Sequence, residues 1–118
     1  MYPNMKIKTV MVEGKEIQTC GEGYIVNRDE WTQGFVEAQA KAEGLSLTEE
    51  HWDVVRFLRA YYEEYGVQAE VRKMVKYFKI KWDEERGSSL YLHRIFPRGG
   101  PQKQGNRLAG LLRTKGEH

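Results

Sequence analysis

Leu47-Thr48-Glu49-Glu50-His51-Trp52-Asp53-Val54-Val55-Arg56-Phe57-Leu58-Arg59-Ala60-Tyr61-Tyr62-Glu63-Glu64-Tyr65-Gly66 is the stretch on which the fold turns. Thr48 is a helix N-cap by type, because its hydroxyl can accept one of the backbone N–H groups that the first turn leaves without a partner. Glu49 and Glu50 put negative charge at the positive end of the helix dipole, and Gly66 supplies the stop. Between them Trp52, Val55, Leu58, Tyr62 and Tyr65 recur at steps of three, three, four and three, which is one apolar helical stripe. His51, in the first turn, reads as a surface residue. Tyr61, Tyr62 and Tyr65 read as core, with a stacking platform for bases as the alternative use of the same rings.

Downstream, the short link Gly66-Val67-Gln68-Ala69 leads into a second helix with Val71, Met74, Val75, Phe78 and Trp82 on one face. Two helices joined this closely make a helix-turn-helix. A further helix runs from Leu90 to Phe96 and stops at Pro97. Arg98-Gly99-Gly100-Pro101 then reads as a loop, and Gln102 to Leu112 as a last helix with Leu108, Leu111 and Leu112 on a shared face. Upstream, Asn27 reads as the cap of a helix that carries Asp29 and Glu30 in its first turn, Glu30 completing a capping box. Trp31, Phe35 and Ala38 share its face and Gly44 ends it. At the N-terminus Ile7, Thr9 and Met11 alternate with Lys8, Val10 and Val12. A turn at Glu13-Gly14-Lys15 and renewed alternation at Ile17 and Thr19 make a β-hairpin. Gly21-Glu22-Gly23 then turns the chain again before Tyr24-Ile25-Val26. The expected fold is α+β and mainly helical, a single domain over 1–118. It comprises an N-terminal β-hairpin region (1–26), an orthogonal helical bundle containing the helix-turn-helix (27–112) and a mobile C-terminal tail (113–118).

The 118 residues are 40% hydrophobic and 31% charged, with a mean hydropathy of −0.72; that is enough for one core under a charged surface. No apolar run approaches the roughly 20 residues that span a bilayer. Met1-Tyr2-Pro3-Asn4-Met5-Lys6 opens no apolar stretch of signal-peptide length, so a cytoplasmic location and no membrane contact are expected. A single cysteine, Cys20, excludes an intramolecular disulfide and a multi-cysteine metal cage. The charge is divided unevenly: residues 1–65 carry 7 Lys or Arg against 12 Asp or Glu, net −5, and residues 66–118 carry 12 against 5, net +7. Such a basic half raises the local concentration of anionic partners, or simply solvates a tail.

No catalytic constellation emerges. His51, His93 and His118 have no metal-ligand spacing, and no glycine loop follows a strand to cradle phosphate, so no cofactor is expected. Arg72, Lys73, Lys76, Lys79 and Lys81 on the second helix of the helix-turn-helix could meet DNA phosphates. Only Gln68 and Arg72 are placed to reach base edges, however, which leaves a DNA-binding regulator as the weaker reading. Cys20 has Thr19, Gly21 and Glu22 as sequence neighbours and no cation to activate it, so it reads as an ordinary half-buried thiol.

Several of these residues together carry a likeness. Leu47-Thr48-Glu49-Glu50-His51-Trp52, Phe57-Leu58-Arg59 and Tyr61-Tyr62-Glu63-Glu64-Tyr65 resemble the DsrC/TusE family. That family comprises the gamma subunit of dissimilatory sulfite reductase and the sulfur-relay protein of tRNA thiolation. The likeness continues through Val12-Glu13-Gly14-Lys15, Gly23-Tyr24, Val71-Arg72, Met74-Val75-Lys76 and Tyr91-Leu92. It reaches Phe96-Pro97, Gly100-Pro101, Lys103-Gln104, Arg107 and Ala109-Gly110-Leu111. The resemblance implies the fold described above and sulfur carriage by cysteine on a C-terminal arm. The penultimate cysteine of such proteins takes persulfide sulfur, and the DsrC type adds a cysteine just before the arginine that matches Arg107. Here those places hold Glu117 and Asn106, and neither side chain can form a persulfide. The arm's proline is also replaced, in Leu112-Arg113-Thr114-Lys115.

The leading expectation is therefore a DsrC/TusE-like protein that binds a sulfite reductase or sulfurtransferase-type partner without carrying sulfur. Lys103, Arg107, Arg113 and Lys115 are its candidate contacts for an acidic partner, and no residue is assigned a catalytic or metal-binding role. The alternatives are sulfur carriage moved to Cys20 and DNA binding through the helix-turn-helix.

Overall fold

The computed structural model describes residues 7–111. A two-stranded antiparallel hairpin, β1 (Ile7–Val12) and β2 (Lys15–Cys20), precedes a single-turn 3-10 helix (Arg28–Glu30) and five α-helices: α1 (Gln33–Ala42), α2 (Glu49–Tyr65), α3 (Val71–Lys81), α4 (Ser89–Ile95) and α5 (Gly100–Leu108). The hairpin turn is two residues long. Glu13 (φ 51°) and Gly14 (φ 82°) both lie in the left-handed region, the turn whose twist matches the strands, and Lys15 pairs with Val12 as strand rather than turn. The alternation buries Val12, Ile17 and Thr19, while Ile7 and Met11 face water. Beyond Gly23 the chain doubles back, and Ile25 bridges Thr19. Val12, Ile17, Ile25 and Phe35 form a small core under the hairpin. A larger core gathers Val36, Val54, Val55, Leu58, Met74, Phe78, Leu92, Phe96 and Leu108 from the helices.

Three expectations about the helices need correction. Asn27 caps only the 3-10 turn, accepting the Asp29 N–H at 3.0 Å. The α-helix begins six residues later under Thr32, whose Oγ1 accepts the Phe35 N–H at 3.3 Å. The extended step between the two turns Trp31 towards the far end of the chain, where its indole N–H donates to the Leu108 carbonyl at 2.8 Å.

On α2 the buried face is His51, Val54, Val55 and Leu58; Trp52 and Tyr62 are half-buried and Tyr65 is 60% exposed. The α5 segment meets α2 at Val54, Leu58 and Arg59, in the middle of that helix, and Tyr65 in its last turn lies beyond those contacts. His51 is not a surface residue. Its Nδ1 accepts the Thr48 backbone N–H at 3.0 Å, taking the place a glutamate fills in a capping box, and Nε2 donates to the Ile95 carbonyl at 2.6 Å.

The last helix starts at Gly100 rather than Gln102 and ends at Leu108. Gly110 (φ 73°) follows, with the Leu111 N–H returning to the Asn106 carbonyl at 3.0 Å and the Gly110 N–H to Arg107 at 3.3 Å. That is a Schellman ending, so Leu108 and Leu111 are both buried without sharing a helical face. Leu112 lies outside the described residues.

α2 and α3 are joined through residues 66–70 and pinned at their other ends by the Trp82 indole N–H, which donates to Asp53 Oδ2 at 3.0 Å. Partial burial pushes the Asp53 carboxyl up, but the hydrogen bonds from Trp82 and Arg56 outweigh it and hold the group below its ordinary value of 3.8. A depressed carboxylate adds stability above its unfolded value and loses it as pH falls through the folded one. Asp53→Asn is therefore expected to lower Tm at neutral pH, with the gap to wild type closing as pH drops below 3.8. Thermal melts across a pH series check this; a gap unchanged in acid would show that the ionised form is not what matters.

Candidate functional site

α5 is polar by sequence (Gly-Pro-Gln-Lys-Gln-Gly-Asn-Arg-Leu) yet is the most enclosed helix, with seven of its nine residues buried. Gly105 lets it approach α2: a Cβ there would stand 2.7 Å from Leu58 Cδ1. Its inward polar side chains converge on Glu43. That carboxylate accepts from Arg107 Nε at 3.1 Å and Nη2 at 2.8 Å, from Gln104 Nε2 at 3.0 Å and from Gln39 Nε2 at 2.7 Å. Gln104 Oε1 in turn accepts the Arg98 N–H at 3.0 Å, and Arg107 Nη2 also donates to the Arg98 carbonyl. Burial alone would pull the Arg107 pKa down; its hydrogen bonds and attraction to Glu43 reverse that and raise it. A bidentate pair this well satisfied holds α1, α4 and α5 in register.

The C-terminal end of α5 is equally built. Trp31 takes the Leu108 carbonyl, and Arg59 lies over the Trp31 ring at 3.6 Å and donates to the Ala109 carbonyl at 2.7 Å. A guanidinium there complements the negative end of the helix dipole. Gly110 is obligatory, since a Cβ would fall 2.3 Å from Trp31 Cδ1 on a backbone already at positive φ.

Within this frame Asn106 is fully buried, and neither its Nδ2 nor its Oδ1 has a hydrogen-bond partner. An orphaned buried amide costs stability that an apolar side chain of the same shape does not. Asn106→Leu is expected to raise stability by about 1–2 kcal/mol, read by urea unfolding. A loss instead would mean that the amide is satisfied in solution.

The candidate partner contacts separate. Lys103 is exposed on α5 and free of ion pairs among the described residues. Arg107 is not available to an outside partner: its guanidinium is spent on Glu43 inside the chain, so its assignment as a contact for an acidic protein is withdrawn. Arg113, Lys115 and Glu117 lie outside the described residues. Cys20 ends β2, half-buried, with its backbone N–H on the Tyr24 carbonyl at 2.8 Å. Thr19 and Gly21 on either side line the cleft into which Arg107 and Arg98 point, and Cys20 does not. Among the described residues no three His, Cys, Asp or Glu side chains converge to hold a metal ion, and no helix is long and apolar enough to cross a membrane.

The family model described as "DsrC like protein" matches residues 11–116. This chain belongs to the DsrC family. Sulfurtransferase TusE of Escherichia coli (strain K12) is 44% identical over 102 residues, covering 86% of this chain and 93% of that protein. TusE of Yersinia pestis is 44% identical over 99 residues, covering 84% and 90%. Among solved structures, DsrC of Allochromatium vinosum superimposes with a TM-score of 0.82 at 43% identity, covering 94% of this chain and 98% of that one. The oxidized gamma-subunit of the dissimilatory sulfite reductase from Archaeoglobus fulgidus gives 0.82 at 35% identity, covering 92% and 98%. The hairpin with five helices is thus the DsrC fold. The expected fold class, a β-hairpin with a mainly helical bundle, is the one observed. Sequence reasoning missed Glu43, Gln39 and Gln104, because a charged or amide side chain on an amphipathic helix carries no local mark of burial.

Proposed function

We propose that this DsrC-family chain works in a sulfur relay as a partner-binding member that does not itself carry sulfur. The observation that carries the reading is the placement of thiol and amide. The one cysteine in the sequence, Cys20, stands on the hairpin, while position 106 on α5 holds a buried asparagine. Relay chemistry needs a thiolate that attacks sulfane sulfur and then gives it up, and an amide can do neither. The similar proteins support the pathway: they are sulfurtransferases and sulfite reductase subunits by name. Lys103, on the open side of α5, is the described residue of the original four that remains free to meet an acidic partner.

Treatment of the protein with a persulfide donor, followed by intact-mass spectrometry, is expected to show no stoichiometric adduct that can be passed to an acceptor thiol. A transferable persulfide on Cys20, lost in Cys20→Ser, would overturn the proposal. It would establish the second reading, which the relatives' sulfurtransferase activity favours: sulfur carriage from β2.

A further inference from the structure

Along one face of α2, from Asp53 to Tyr65, that helix and the exposed face of α3 form an open groove of about 670 Å³. Its floor is aromatic and aliphatic. Phe57 packs against Tyr77 at 4.6 Å between centroids and Tyr61 against Tyr65 at 4.5 Å. Ile80, at 84% exposure, is the most exposed large apolar side chain among the described residues. The rim on the α3 side is basic: Lys73 and Lys76 border the groove, neither in an ion pair with a described residue. They fall with Tyr77 and Ile80 on one helical face at steps of three, one and three. On the α2 side the groove also carries Asp53, paired with Arg56 at 3.0 Å, and Glu64. With Lys81 on α3 the lining holds four basic side chains against two acidic ones, a net positive charge concentrated on the α3 side.

We propose that this groove docks an acidic amphipathic helix of a partner protein. An exposed aliphatic anchor flanked by unpaired lysines matches a segment with apolar residues every third or fourth position and carboxylates beside them. The part of α2 that lines the groove, Asp53 to Tyr65, gives a wall on the order of 20 Å long, room for about three turns of a second helix. Nucleic acid fits less well. Ile80 offers a base no ring face, and the tyrosine and phenylalanine rings partly cover one another by tilted packing rather than presenting open faces. The surface lies away from Arg107 and Cys20, so this inference does not rest on whether the chain carries sulfur.

The test is fluorescence anisotropy of the full chain with a labelled synthetic helical peptide on the order of 15 residues, leucine at i, i+3, i+4 and i+7 and glutamate elsewhere. The same peptide with lysine for glutamate, a single-stranded RNA and a duplex DNA serve as competitors. The glutamate peptide is expected to bind best. Ile80→Asp should weaken it about tenfold or more, and so should the pair Lys73→Glu with Lys76→Glu. All three positions are exposed, and an unchanged thermal melt shows that the fold is retained. No binding of the glutamate peptide, or binding untouched by both variants, would overturn the proposal. So would tighter binding of an oligonucleotide lost on the same substitutions, which would assign the groove to nucleic acid instead.

Discussion

Arg107→Ala should lower the unfolding free energy by about 3–5 kcal/mol, because it strands a carboxylate inside the protein. The Glu43 side chain is 9% exposed and Arg107 11%. Removing the guanidinium leaves Gln39 and Gln104, among the described residues, as the side-chain donors to the Glu43 carboxylate. The cost comes from the unpaired charge more than from the lost contact. A double variant, Glu43→Gln with Arg107→Met, should therefore recover much of the stability that Arg107→Ala loses. Urea unfolding of the three proteins decides it. A single-variant loss below about 1 kcal/mol would place the pair with surface salt bridges, which water screens.

Phe78→Ala is expected to cost about 3–5 kcal/mol by opening a cavity at the junction of α3 with the rest of the core. Phe78 is fully buried, stacks on Trp82 at 4.3 Å between centroids and meets Phe57 edge-on at 5.4 Å. Its loss removes the contact that ties the groove side chains to the interior. Tyr65→Ala, at the exposed end of the same aromatic cluster, should stay within about 0.5 kcal/mol of wild type. Equal losses at the two positions would mean that Tyr65 is covered in solution.

Local signals made most of the fold legible. Thr48, Gly66 and the apolar spacing placed α2 to the residue, and the step from Gly66 to Val71 placed the helix-turn-helix. Caps, stops and periodicity act within one or two turns, so a single chain displays them. Helix α1 was misplaced for the same reason. Asn27, Asp29 and Glu30 do form a capped turn, but the pull of Trp31 towards Leu108 across 77 positions ends it after one turn.

The candidate site divides along the same line. Composition and motif were enough to show one thiol on the hairpin, an asparagine beside an arginine on the last helix, and a DsrC-like order of elements. Whether a given polar side chain faces water is not a local property. His51 is buried because the Ile95 carbonyl, 44 positions on, completes its hydrogen bonding. Arg107 is buried because Glu43, 64 positions back, offers a carboxylate already held by two amides. The sequence by itself determined the elements and the available chemistry. Only tertiary structure decided which charges are satisfied inside and which remain free for a partner, because desolvation is repaid or not by groups that the chain brings together from far apart.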